Sequence, residues 1–135
     1  MPEDIRWKQR FDNYCRAFSQ LNKAVEVHFS QSDNELIQMA LVKAFEMTFE
    51  LAWKTMKDYL RFNGIDVKLP REVIKQAFAN DIIVDGQLWI YMLENRNVMA
   101  HVYDEARAQA TVQLICQQYM PALIQLHQFL QEKSA

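Results

Sequence analysis

An arginine, a histidine and a tyrosine follow one another closely in a polar stretch between Arg96 and Tyr103. A guanidinium can hold a phosphate through two parallel hydrogen bonds. An imidazole, with a reference pKa of about 6.5, can accept or donate a proton at neutral pH. The Arg96 and His101 side chains together therefore suit chemistry at a phosphodiester.

Each of these side chains also has a structural interpretation. Arg96 could pair with Glu94 or Glu105, His101 could be a hydrogen-bonded residue at a helix end, and Tyr103 could be a packed aromatic. The sequence pattern by itself leaves these alternatives open.

The cysteines and the other aromatic candidates favour structure over chemistry. Cys15 and Cys116 are far apart, with no second Cys or His nearby at metal-ligand spacing, so we expect two reduced, largely buried thiols and no metal site. His127 is expected to be structural or exposed, and Trp53 and Trp89 to anchor the core.

The elements that position the polar stretch are predicted to be helices. Half of the 135 residues are hydrophobic, and the chain has only two Gly and three Pro, too few for the turns of an all-β protein. We expect residues 1–135 to form one all-α domain, an antiparallel up-and-down bundle of four main helices and one short helix.

Local signals place the helix boundaries. A capping box of Ser32 and Glu35 is expected to begin the second helix, which Asn63-Gly64 ends. Pro70 suits the start of the short third helix, and Asp85 suits the N-cap of the fourth. The last helix should begin near Asp104-Glu105.

A proline also falls inside that last helix. Pro121 lacks the amide that would bond Gln117, so a kink is expected there.

The second helix carries a charged stripe opposite its apolar side. Its members are Lys43, Glu46, Glu50, Lys54, Lys57 and Arg61. This stripe is either a solvated face or, in part, the border of a polar cleft formed by Glu46 or Glu50 with Lys54.

Helix geometry constrains the candidate site. A regular helix puts Arg96 and His101 roughly 140° apart, and His101 and Tyr103 roughly 200° apart. Either the helix loosens between Met99 and Tyr103, or copies from two subunits converge at an interface. We expect both, with a homodimer as the assembly.

The charge of the chain limits its partners. A net charge of −2 gives no global attraction to nucleic acid, and Glu94, Asp104 and Glu105 flank the polar stretch. Any RNA contact must therefore use Lys or Arg from other helices. No apolar run reaches the roughly 20 residues that span a bilayer, so we expect a cytoplasmic protein without a membrane partner.

The sequence resembles the HEPN domains that are encoded beside a minimal nucleotidyltransferase in bacterial toxin-antitoxin pairs, a group also called nucleotidyltransferase substrate-binding proteins. The pattern Arg96-Asn97-x-x-x-His101-x-Tyr103 matches their Arg-x4-His-x-Tyr signature. The segments 45–54, 70–78 and 89–104 look like the same subgroup, so the resemblance covers nearly the whole chain.

This resemblance implies a dimeric, metal-independent ribonuclease toxin without a cofactor of its own. It implies that His101 acts as base or acid for attack of a ribose 2′-hydroxyl on phosphate, that Arg96 stabilises charge on the phosphorus oxygens, and that Asn97 positions Arg96 or the substrate. Tyr103 matches the tyrosine that the partner nucleotidyltransferase, an antitoxin using ATP and magnesium, modifies with AMP.

Two other functions are compatible with the sequence. The chain could be a non-catalytic subunit that presents a substrate, or only Tyr103, to the nucleotidyltransferase, or a purely structural bundle. It is not expected to be the nucleotidyltransferase itself, because it lacks the Gly-Ser and paired Asp residues of that family and any Gly-rich phosphate loop.

Overall fold

The computed structural model describes residues 2–99 and 105–135. Within these residues it contains α-helices and one π-helical turn, and no strand. The elements in chain order are α1 (Glu3–Ser30), α2 (Glu35–Phe62), α3 (Pro70–Ala79), α4 (Gly86–Met99), α5 (Glu105–Leu114), the π-helical turn (Ile115–Tyr119) and α6 (Met120–Ser134). Because α5, the π-helical turn and α6 follow without a break, there are four main helical segments and one short helix. The predicted all-α bundle is confirmed.

Aromatic side chains show how the main helices pack. The ring centroids of Trp7 on α1 and Tyr59 near the end of α2 are 5.0 Å apart, so α1 and α2 run antiparallel. Phe45 lies 5.3 Å from Tyr119, and Tyr59 lies 5.8 Å from Phe129, so α6 runs in the same direction as α2. These residues, partly or wholly removed from water, supply most of the free energy that favours folding.

The punctuation read from the sequence is confirmed at three helix ends. The Asp85 carboxylate accepts a hydrogen bond from the Leu88 backbone N–H at 3.1 Å, which caps α4. Gly64 follows α2 with a φ of 86°, a left-handed conformation that glycine adopts without steric cost. Pro70 is the first residue of α3.

The capping box predicted for α2 is wrong. The side chain of Asn34, not Ser32, accepts the Leu36 backbone N–H at 3.0 Å, and Glu35 is already the first helical residue. Asparagine caps helices as well as serine does, so a sequence with both leaves the choice to the loop. Here the Gln38 side chain donates to the Ser32 carbonyl at 2.9 Å, which ties Ser32 into the loop before the helix.

The irregularity expected at Pro121 lies just before it. The Met120 N–H donates to the carbonyl of Ile115, five residues back, which is the hydrogen-bond pattern of a π-helix. A wider turn relieves the crowding between the proline ring and the preceding carbonyls, so the helical segment continues through the proline.

No helix in the parts of the chain that the structure describes combines the length and the apolar character needed to cross a bilayer.

Candidate functional site

The fourth helix positions the first of the predicted site residues, Arg96. Trp89 and Met92 on α4 are fully buried, and Leu93 is 8% exposed, so this helix is anchored in the core. Arg96 lies one turn beyond Leu93, near the end of α4, with 26% of its side chain exposed. The guanidinium is thus held at the boundary between core and solvent, where an anion can reach it.

The Arg96 guanidinium contacts two neighbouring residues of α2. Its Nη1 donates to Oε2 of Glu50 at 2.6 Å, and its central carbon lies 5.9 Å from the centroid of the Phe49 ring. A short hydrogen bond between two charged groups is roughly twice as strong as a neutral one. The ring adds a weaker cation–π attraction. These contacts fix the direction of the arginine side chain.

The same Glu50 carboxylate also faces a second cation. Lys54 lies one turn further along α2, and its Nζ is 3.6 Å from Oε1 of Glu50. Glu50 and Lys54 are each 37% exposed. The charged stripe of α2 is therefore not only a solvated face: at Glu50 it borders a polar cluster with α4, while Glu46 pairs with Lys43 at 3.7 Å.

Glu94 is not the partner of Arg96. Its carboxylate oxygen Oε1 lies 3.3 Å from Nη2 of Arg71 on α3, and both side chains are about half exposed. Residues two positions apart on a helix point about 200° apart, so this pair lies on another side of α4.

A hydrogen bond that the sequence did not predict joins α4 to the last helical segment. The Asn95 side-chain amide donates to the hydroxyl of Tyr119, at the end of the π-helical turn. Tyr119 is 2% exposed and stacks on Phe45. Burial raises the pKa of the Tyr119 hydroxyl, and the hydrogen bond from Asn95 partly offsets this effect. The polar stretch of α4 thus contacts two helices at adjacent positions.

The remaining predicted site residues cannot be placed in the same way. His101 and Tyr103 lie outside the described residues. The backbone of Asn97 is part of α4, but its side chain lies outside the described part. Their convergence with Arg96 stays a prediction.

Among the described residues, no group of three or more His, Cys, Asp or Glu side chains could hold a metal ion. One pair that the sequence analysis missed is Cys15 and His127, whose Sγ and Nε2 are 3.4 Å apart across α1 and α6. Burial raises the pKa of the Cys15 thiol and lowers the pKa of His127, which favours the uncharged form of both groups. Cys15 and Cys116 are half-buried free thiols.

Comparison with known proteins identifies the family. The family model described as "Nucleotidyltransferase substrate binding protein like" matches residues 9–132. The chain belongs to this family. The resemblance inferred from Arg96, His101 and Tyr103 and from the segments around them is thereby confirmed at the level of the family.

A curated relative is the "Probable ribonuclease HepT" of Haemophilus influenzae (strain ATCC 51907 / DSM 11121 / KW20 / Rd). The two proteins are 27% identical over 74 residues, which cover 51% of this chain and 51% of the relative. The match therefore spans about half the length of that relative.

Proposed function

We propose that this protein is a HEPN-type ribonuclease toxin that a cognate minimal nucleotidyltransferase neutralises. The observation that carries the proposal is the Arg96 side chain, which is partly exposed and held by Glu50 at 2.6 Å in a chain of the nucleotidyltransferase substrate binding protein family. The similarity to a protein named as a probable ribonuclease supports the substrate class.

The proposed reaction is transesterification of RNA without a metal ion. His101 takes the proton of a ribose 2′-hydroxyl as its oxygen bonds to the adjacent phosphorus, and the bond from phosphorus to the 5′-oxygen breaks. The leaving oxygen gains a proton, so the products are a 2′,3′-cyclic phosphate and a 5′-hydroxyl. Arg96 stabilises the negative charge on the phosphorus oxygens, and Asn97 positions Arg96 or the RNA.

A homodimer is part of this proposal. Three large apolar side chains on the first half of α2 are exposed: Leu36, Met39 and Met47. At about 100° per residue they share one side of the helix with Glu50, so the exposed apolar residues lead along α2 towards the Arg96 cluster. Pairing of two copies through this side would bring their Arg96 clusters close together.

The partner is proposed to act on Tyr103. Transfer of AMP from ATP to the Tyr103 hydroxyl, with magnesium supplied to the nucleotidyltransferase, would place a bulky phosphodiester seven residues from Arg96 and two from His101. The modified tyrosine would block RNA from the site.

The test combines RNA cleavage with mass measurement. The purified protein is expected to cut single-stranded RNA, and Arg96→Ala and His101→Ala are expected to abolish cutting while the oligomeric state is unchanged. Co-expression with the neighbouring nucleotidyltransferase is expected to add AMP to the wild-type chain but not to Tyr103→Phe. Intact wild-type protein that leaves RNA uncut at low salt would overturn the ribonuclease function.

A second candidate is a non-catalytic subunit that binds a substrate for the nucleotidyltransferase. The description of the matching family favours it, because that description names substrate binding and not RNA cleavage. It predicts that the chain raises nucleotidyltransferase turnover and that His101→Ala has no effect on that turnover.

A further inference from the structure

Three charged side chains on two helices form a single chain of contacts beside the proposed reaction centre. The two oxygens of the Glu50 carboxylate face different cations, with Oε2 against Arg96 at 2.6 Å and Oε1 against Lys54 at 3.6 Å. We refer to Glu50, Lys54 and Arg96 as the charge cluster. Its net charge is +1, so it can still attract an anion.

The geometry of the cluster leaves both cations able to bind. A guanidinium has five N–H donors, and among the described residues Glu50 takes only the Nη1 group of Arg96. An ammonium has three donors on a flexible stem, and Lys54 is 37% exposed. Because each oxygen of one carboxylate holds one cation, the two cations are kept side by side and directed to the same patch of solvent.

We propose that Lys54 is a second phosphate-binding residue and that Glu50 is the positioning residue that holds Lys54 and Arg96 together for the phosphodiester backbone of single-stranded RNA. The choice of RNA rests on the proposed ribonuclease function. The cluster answers a difficulty raised by the charge of the chain, since the residues flanking Arg96 in sequence are acidic and supply no second cation.

Two opposing effects of Glu50 make the inference testable. Its negative charge repels a phosphate, which weakens RNA binding. Its carboxylate also orders the two cations, which aligns the phosphate for reaction. Glu50→Gln keeps the size and an acceptor oxygen but removes the charge. This variant should therefore bind RNA about threefold or more tightly, from the lost repulsion. It should cleave at least about tenfold more slowly, from the lost alignment.

The binding experiment uses an RNA oligonucleotide with 2′-O-methyl groups throughout, which lacks the attacking hydroxyl. Lys54→Gln is expected to weaken binding and to reduce the slope of log affinity against log salt by about 0.7. Lys8→Gln is the matched control, because Lys8 pairs with Asp4 at the same i,i+4 spacing on α1, with 41% and 44% exposure. The control should bind like wild type.

The cleavage experiment compares Glu50→Gln with Glu94→Gln. Glu94 is also a carboxylate paired with an arginine, but its partner is Arg71 and it lies on another side of α4. Tighter binding together with slower cleavage in Glu50→Gln, and in that variant alone, supports the positioning role. Faster cleavage in Glu50→Gln would mean that Glu50 obstructs Arg96, and it would overturn the inference.

The two proposals fail in different ways. If wild-type protein does not cut RNA, the ribonuclease function is wrong, but the binding experiment still decides whether Lys54 and Arg96 form a phosphate site. If wild-type protein cuts RNA while Lys54→Gln and Lys8→Gln bind equally well, the charge cluster is not a phosphate site and the ribonuclease function stands.

Discussion

Asn95 on α4 donates a hydrogen bond to the hydroxyl of Tyr119, the last residue of the π-helical turn. The neighbouring Arg96 donates to Glu50 on α2. Two consecutive polar residues thus tie the end of α4 to two different helices. This arrangement explains why a polar stretch follows the buried Trp89 and Leu93 in one continuous helix.

Tyr119→Phe removes the hydroxyl that Asn95 contacts and keeps the ring that stacks on Phe45. A neutral hydrogen bond contributes about 1 kcal/mol net, so we expect the free energy of unfolding to fall by about that amount. Urea denaturation would measure it. Tyr91→Phe is the control, because Tyr91 lies on α4 and is 52% exposed, and it should change stability by less than about 0.5 kcal/mol. Equal effects in the two variants would contradict this account.

Helix boundaries could be predicted because their signals are local. Asp85, Gly64 and Pro70 act through backbone groups a few residues away, so the pattern of residue types is sufficient. The capping choice between Ser32 and Asn34 failed because both residues suit the position and the deciding contact comes from Gln38 in the next helix.

The contact between Glu50 and Arg96 could not be predicted from the sequence. The two residues are 46 positions apart, and Glu50 has a local partner in Lys54 that accounts for its charge without any contact to another helix. Helical period shows which residues share a face, but not which helix covers that face. The alternative that Glu50 and Lys54 border a polar cleft was therefore as far as the sequence could lead.

Asp58 provides a test of buried charge on the same helix. Its side chain is 2% exposed, and it accepts a hydrogen bond from Arg10 Nε at 3.0 Å, whereas Arg6 Nε lies 3.9 Å away and is more exposed. Arg10→Gln should lower the free energy of unfolding by about 2 kcal/mol, because a buried carboxylate loses its close partner. Arg6→Gln should lower it by less than about 1 kcal/mol.

Urea denaturation of these two variants at pH 7 separates the roles of the arginines. If Arg6→Gln destabilises the protein as much as Arg10→Gln does, the two arginines share the carboxylate equally and distance does not decide their contributions.

His127 is expected to make stability depend on pH. Burial lowers its pKa in the folded chain, so the unfolded chain takes up the proton first as pH falls. The folded state therefore loses stability as pH drops through the unfolded value of about 6.5, and His127 makes no such contribution well above it. Cys15 faces the ring, and burial raises its thiol pKa, so this group stays protonated over that range.

His127→Phe removes the titrating group and keeps an aromatic ring against Phe18, whose centroid lies 5.4 Å from that of the imidazole. The free energy of unfolding of the wild type should fall relative to this variant between about pH 7.5 and pH 5.5. Urea denaturation at both pH values would measure the difference, and a constant difference would show that His127 titrates alike in the folded and unfolded chain.

Arg96→Lys distinguishes the shape of the Arg96 head group from its charge. A lysine keeps the positive charge but has no planar fork, so it cannot hold Glu50 and a phosphate in the same directions. RNA cleavage should fall by about 100-fold, since misplacement by about 1 Å can have that effect. Binding of the 2′-O-methyl RNA should change by less than about threefold, because the charge that attracts phosphate is retained. Arg71→Lys, at an exposed ion pair with Glu94, should leave both measurements unchanged. Full cleavage by Arg96→Lys would mean that Arg96 contributes only its charge, and the geometric role assigned to its contact with Glu50 would then be wrong.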